Sequence, residues 1–335
     1  NRNEIMQKGL NMKFTEEQLK NYAAPLSETE NQKCLNAIGM VRDALKKLGF
    51  TDDEKEIKKM YEDTYAYALN MRSIYGTRKI RLFIQGSYAN NTNVRTQSDV
   101  DIAVVQEDVF KTEYRTISSG MPQCGKDYGF CTAPSVEKSF KDEVQECLEE
   151  KFGKDVERKN KSIKIHGNNY RKDADTVPCS RYRDYRNDYR NDETNYVPGI
   201  VIYPDNGPII INYPEQHIEN GRKKNIDTNR YYKKMVRIMK KMRYIMCEFG
   251  YTEAEKVSSF GLESLIWNLP NDLFMKYSTY RYGFGEIVEY LYNHKDKFSF
   301  YEEANGIKAL CPTLQDVTNY KNFVNKLYEF YEYDI

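Results

Sequence analysis

The chain has no surplus of positive charge: 51 Lys and Arg stand against 50 Asp and Glu in 335 residues. A protein that holds long duplex nucleic acid through its phosphates usually carries a basic excess. The balance therefore argues against such a partner and leaves room for a local basic site for a small polyphosphate. No apolar run approaches the roughly 20 residues that a membrane span needs. The N-terminal end lacks an apolar signal core, so secretion is not expected. Residues 1–28 are polar and do not begin with Met, and part of them is expected to be a leader or an added remnant. The seven cysteines contain no CxxC pair and are odd in number, which does not suit a disulfide framework. Only three histidines are present, none spaced beside a cysteine for zinc. The thiols are expected to be reduced core residues of a cytoplasmic protein.

What is present changes period along the chain. After a possible cap at Ser27 or Thr29, Cys34, Leu35, Ile38, Val41, Leu45 and Leu48 recur at helical steps until Gly49. A second helix is expected at roughly 53–74, from Ile57, Met60, Tyr61, Tyr65, Leu69 and Met71. The segments 79–84 and 99–105 read as strands. Residues 109–136, with three glycines and two prolines, read as an insertion or lid-like loop, and a helix is expected at 137–152. Strand-like segments follow near 161–166, 170–179 and 198–212. From Thr228 onward the pattern is helical: one long helix carries Tyr232, Met235, Val236, Met239, Met242 and Ile245, and others are expected at 256–268, 284–293 and 314–332. The fold class is α/β. The layout is a polar segment (1–28), a core (29–215) and a helical lobe (216–335). Two charged stretches, Arg181–Asp192 with its alternating Tyr and Arg and the run Arg222-Lys223-Lys224, are expected to be a solvated hairpin tip and a solvated loop leading into a helix. The first could also stack on bases and bind phosphates.

The chemistry concentrates in Gly86-Ser87, eleven intervening residues, and Asp99-Val100-Asp101. Side chains alternate along a strand, so Asp99 and Asp101 share one face about 7 Å apart. Carboxylates that close repel unless cations lie between them. Mg²⁺ is the expected cation, two ions with Mn²⁺ as a substitute, since it prefers hard oxygen ligands and shares carboxylates with substrate phosphates. Gly86 lets the backbone approach a triphosphate, and Ser87 offers a hydroxyl and an N–H. A third carboxylate would complete the metal site, and Asp175 is preferred over Asp173, which has the same strand parity.

These motifs, Gly86-Ser87-Tyr88, Asp99-Val100-Asp101-Ile102 and Asp175-Thr176-Val177-Pro178, resemble those of the bacterial cGAS/DncV-like nucleotidyltransferases (CD-NTases). The resemblance continues through Ile211-Asn212-Tyr213-Pro214 with His217, the Lys234–Lys240 stretch, and Val257–Pro270. It implies a DNA polymerase β-like core joined to a C-terminal helical lobe. It also implies synthesis of a cyclic di- or trinucleotide from NTPs, ATP and GTP foremost, in CBASS anti-phage signalling. By the same resemblance Lys240 and Ser259 contact nucleotide phosphate and Phe260 stacks on a base. Read from the residues alone, Lys240 is equally a solvated helix lysine, Phe260 and Trp267 core aromatics, and His217 a packed or hydrogen-bonded histidine. The zinc-holding insertion by which animal cyclic GMP-AMP synthase reads DNA has no counterpart, so duplex-DNA activation is not expected. A monomer that is constitutively active or controlled by a partner protein is. The rival readings are a linear-product or RNA- or protein-modifying transferase, and an inert nucleotide-binding module.

Overall fold

The computed structural model describes residues 12–53, 57–61, 64–74, 76–94, 99–117 and 121–332. They form two compact units: an α/β unit from 28–88 and 99–215, and a helical unit from the described parts of 1–27, 89–98 and 216–335. Helix α1 (Glu16–Ala23) thus belongs to the helical unit.

In the α/β unit, helix α2 (Glu28–Leu45) buries Cys34, Ala37, Ile38, Val41, Ala44 and Leu45, the stripe its sequence spacing dictates. The chain then turns at Gly49, whose φ of +81° suits a residue without a Cβ. The strands are β1 (Phe50–Asp52), β2 (Lys58–Lys59), β3 (Tyr67–Ser73), β4 (Lys79–Gln85), β5 (Val100–Glu113), β6 (Val156–Arg158), β7 (Ile163–Ile165), β8 (Ala174–Asp184), β9 (Val197–Ile202) and β10 (Ile210–Asn212). They run β10-β9-β8-β5-β4-β3-β1 across one sheet, with β2 on β3 and the β6–β7 hairpin on the start of β8. The β5–β8 pair at the centre is parallel, and its neighbours on either side are antiparallel. Strand β5 buries Val100, Ile102, Ala103, Val104 and Val105, so both of its faces are covered, as a near-continuous apolar run requires. Between β4 and β5 lies one short turn, α3 (Gly86–Ala89). Helix α4 (Phe140–Phe152) is capped by Ser139, whose Oγ accepts the Asp142 N–H at 3.1 Å, and packs with α2 and against β8.

The helical unit contains α5 (Pro214–Asp227), starting at the boundary between units, then α6 (Tyr232–Glu248), α7 (Thr252–Glu255), α8 (Ser259–Trp267), α9 (Tyr280–Asn293) and α10 (Leu314–Phe330). Its core joins Met235, Val236, Met239 and Met242 of α6 to Leu262, Leu265 and Ile266 of α8, with Phe284 of α9 and Phe323 of α10. No helix among the described residues is long and apolar enough to cross a membrane.

Four expectations need correction. The described part of 53–74 is not a helix, because Leu69 and Met71 alternate with exposed Asn70 and Arg72, a period of two that fits β3 beside β4. The segment 109–136 is not all loop: β5 runs to Glu113 after a register shift between Gln106 and Phe110. Arg222, Lys223 and Lys224 lie within α5, which opens on Pro214 at a position where the missing N–H costs nothing. The Tyr/Arg segment is packed along its first half, whereas Arg186, Asn187 and residues 189–192 are exposed as a solvated tip would be. Arg181 is buried against Glu107 and Glu215 (Nε to Glu107 Oε2 3.0 Å, Nη1 to Glu215 Oε1 3.1 Å), Tyr182 and Tyr185 are buried, and buried Asp188 accepts the Tyr128 hydroxyl at 2.7 Å.

Candidate active site

Three strand ends of the α/β unit meet at one end of the central strands. Gln85, the last residue of β4, pairs with Asp101 of β5, and Asp101 stands in register with Asp175 of β8. Asp99 precedes β5 by one residue. Gly86 follows at φ +70°, and a Cβ there would collide with Asp101 Oδ2 and lie 3.1 Å from its Cγ. Two independent constraints, backbone conformation and close approach, therefore require glycine at 86. Ser87 sits in the α3 turn. The next residue fixes that turn: the Tyr88 ring is buried, stacks on Tyr65 at 5.3 Å and hydrogen-bonds to Asn31 through its hydroxyl.

The electrostatics are those of a cluster that favours cations. Asp175 accepts a hydrogen bond from Ser162 Oγ at 3.3 Å, and its pKa is raised above the ordinary aspartate value by burial and then by the charge of Asp99. Lys164 of β7, opposite Asp175 in register, places its ammonium 2.9 Å from Asp99 Oδ2 and 2.8 Å from Asp173 Oδ2. Its pKa is pushed up by the hydrogen bond to Asp173 and by that to Asp99. Asp173 lies before β8, where its Oδ1 accepts the Gly167 N–H at 2.6 Å. Burial raises its pKa, but the Lys164 and Gly167 hydrogen bonds outweigh that and leave it lowered. Asp173 is thus committed to a turn through Gly167, while Asp175 stands in register with Asp101. Among the described residues no group of three or more acidic, histidine or cysteine side chains is arranged, as it stands, to hold a metal ion. The donor set is all hard oxygen and fits Mg²⁺ in chemistry.

The remaining expected site residues fall in the helical unit. Phe260, the second residue of α8, is 45% exposed. Ser259 opens α8 after the N-cap Ser258, and its hydroxyl lies 3.2 Å from that of Tyr244. Lys240, in contrast, is only 2% exposed. Its ammonium is 2.7 Å from Glu263 Oε2 and 3.1 Å from Thr92 Oγ1, so the charge is committed inside the unit and not offered to a ligand. The other Glu263 oxygen is 2.9 Å from His217 Nε2. Sequence reasoning missed Glu263 and Lys164. Each had a local signal: a lone carboxylate in the apolar run Phe260–Trp267, and a lone cation between Ile163 and Ile165.

Comparison with known proteins agrees with this architecture. Residues 67–194 match the nucleotidyltransferase domain, and residues 219–332 match the cGAS/DncV-like nucleotidyltransferase C-terminal helical domain. The chain is 44% identical over 323 residues to the cyclic GMP-AMP synthase CdnE03 of Staphylococcus schleiferi, covering 96% of this chain and 98% of that one. It is 36% identical over 299 residues to the cyclic dipyrimidine nucleotide synthase CdnE of Cecembia lonarensis, covering 89% and 90%. The Elizabethkingia meningoseptica CdnE cyclic dinucleotide synthase, solved with GTP and Apcpp, superposes with a TM-score of 0.70 at 30% identity, covering 96% of this chain and all of that one. With its strand-end carboxylates, its glycine turn and both family domains in place, the chain belongs to the cGAS/DncV-like nucleotidyltransferases.

Proposed function

We propose that this protein joins nucleoside triphosphates into a cyclic oligonucleotide, releasing pyrophosphate, and that the product is a second messenger of CBASS anti-phage defence. The observation that carries the reading is the register of the central strands. It sets Asp101 beside Asp175 and against Gly86, in a chain similar over almost its whole length to a cyclic GMP-AMP synthase.

In this reading a ribose hydroxyl of one nucleotide attacks the α-phosphorus of another, and pyrophosphate leaves. Gly86 and Ser87 receive the triphosphate through backbone N–H groups and the Ser87 hydroxyl. Asp99, Asp101 and Asp175 are the residues that would hold Mg²⁺ or Mn²⁺. Such ions, when bound, neutralise phosphate charge and acidify the attacking hydroxyl. The ammonium that Asp99 draws supports the assignment, and so does the pKa of Asp175, raised first by burial and then by the charge of Asp99. Asp175 orients the attacking hydroxyl. A second transfer on the turned-over linear intermediate closes the ring.

ATP and GTP are the proposed substrates. The S. schleiferi relative is named for a purine product and the C. lonarensis relative for a pyrimidine one, so base choice differs among chains of this kind. Phe260, half exposed, favours a large stacking face. Cytoplasmic location, a monomeric state, and activity that is either constitutive or controlled by a partner protein complete the proposal. The test is incubation with α-phosphate-labelled ATP, GTP, CTP and UTP, singly and in pairs, with Mg²⁺. A labelled oligonucleotide from the wild type and none from Asp101→Ala supports the reading, and equal product from both overturns it.

A further inference from the structure

Phe260 and Glu263 lie one turn apart on α8 and so share a side of the helix. One imidazole, His217 of α5, touches both. Its Nε2 is 2.9 Å from Glu263 Oε1, and its ring centroid is 4.9 Å from that of Phe260, with the planes inclined by 33°. We propose that His217 is a positioning residue that holds the exposed Phe260 ring as a platform for a nucleobase. The inference rests on the reading of Phe260 as a base-stacking residue in nucleotidyl transfer.

The imidazole is itself held. Glu263 is 2% exposed, and its second oxygen takes Lys240 Nζ at 2.7 Å and Thr92 Oγ1 at 2.6 Å. With both oxygens engaged, the carboxylate cannot rotate, and the bond to Nε2 fixes the edge of the His217 ring. The other nitrogen, Nδ1, is buried and has no hydrogen-bond partner among the described residues. A glutamine could make the same bond to Glu263 without an imidazole's flat face. The face is what Phe260 uses. Leu262, Leu265 and Ile266 of the same helix are buried, whereas Phe260 is presented to solvent, where an unsupported phenyl ring would lose rotamer freedom on each binding event. Lys240 thereby gains a role without touching a ligand: it locks the carboxylate that locks the ring that supports Phe260.

The test is steady-state pyrophosphate release from ATP and GTP with Mg²⁺, using the full chain as wild type, Phe260→Ala, His217→Gln, His217→Phe and the double variant Phe260→Ala/His217→Gln. Trp267, the single tryptophan of the chain and a residue of α8, reports by its emission that the helix stays folded. Phe260→Ala is expected to raise KM for at least one NTP. His217→Gln, which keeps a donor for Glu263 but removes the flat face, should raise the same KM roughly three- to tenfold with little change in kcat. His217→Phe, which keeps the face but not the bond that fixes its edge, should restore part of that loss and bind better than His217→Gln. The double variant should be no worse than Phe260→Ala alone. A purely structural His217 predicts the reverse order, with glutamine tolerated and phenylalanine damaging, and that result overturns the inference. An additive double variant overturns it as well, even if His217→Phe does not fold. An unchanged KM in Phe260→Ala instead sinks the stacking reading beneath it, so the two failures are told apart.

Discussion

Substituting Gly86 by Ala separates two effects that the structure makes distinct. The first is backbone strain: at φ +70° an L-residue is disfavoured by roughly 1–2 kcal/mol. The second is collision, because the new Cβ would meet Asp101 Oδ2, and the carboxylate must retreat by roughly 1 Å, a misplacement that costs about 10²-fold in rate when it touches the reacting geometry. Gly129 supplies the control. Its φ of +71° is the same, and a Cβ there would meet nothing within 4 Å. Gly86→Ala and Gly129→Ala should therefore lose similar stability from strain, each kcal/mol appearing as about 2–4 °C in Tm. Only Gly86→Ala should lose turnover, by about 10²-fold. Thermal melts and initial rates of pyrophosphate release on the two variants measure both quantities. If Gly86→Ala turns over as fast as Gly129→Ala, the close approach to Asp101 is not part of the site and the reasoning fails.

Asp99→Ala and Asp101→Ala should each abolish transfer while the protein stays folded; for Asp99 the stability change should stay near 0–1 kcal/mol, since its partner Lys164 is a partly exposed pair. Asp175→Asn should lower kcat more than it raises KM for NTP, and Asp173→Asn should lose stability but keep turnover, because its bonds run to Gly167 and Lys164; the opposite pattern would exchange the two assignments. Lys240→Met should cost about 3–5 kcal/mol in urea unfolding, as it strands a buried carboxylate, and a loss near zero would contradict the buried pair. Burial raises the pKa of Glu263, but the charge of Lys240 and the hydrogen bond from His217 overcome it and hold the group well below the usual 4.5. A depressed folded pKa adds stability that is complete above the unfolded value and is lost as pH falls from about 4.5 toward the folded value. Glu263→Gln should flatten that acid limb, and an unchanged slope between wild type and variant would refute the assignment.

The parts of the fold that were legible in the sequence are those whose burial is encoded locally. Strand β5 shows itself as an apolar run that both faces of a sheet must cover, and α2 and α6 show the three-and-four spacing of a helix with one buried side. The close approach of Gly86 to Asp101 was not legible, since it rests on the β4–β5 register that sets Gln85 opposite Asp101. Strand β3 was misread because Tyr61, Tyr65 and Leu69 also fit a helical step, and only pairing with β4 decides between the two periods. Helix α5 is so polar that its buried residues, His217, Ile218, Gly221 and Asn225, give little apolar pattern. The state of Lys240 was not legible at all, since it depends on Glu263, 23 residues later, and on Thr92, 148 residues earlier. Likewise the buried positions Arg181 and Asp188 of the Tyr/Arg segment read as solvated until Glu107, Glu215 and Tyr128 arrive from distant parts of the chain to satisfy them.

The central claim, that the product is a closed ring, is tested most directly by its ends. The protein is incubated with α-phosphate-labelled ATP and unlabelled GTP in Mg²⁺, the product is treated with phosphatase, and the digest is separated and its mass measured. A ring has no terminal phosphate, so the account predicts a labelled species that survives the treatment and has the mass of a cyclic oligonucleotide. A ladder whose members all lose terminal phosphate to the enzyme would show linear chains and contradict it.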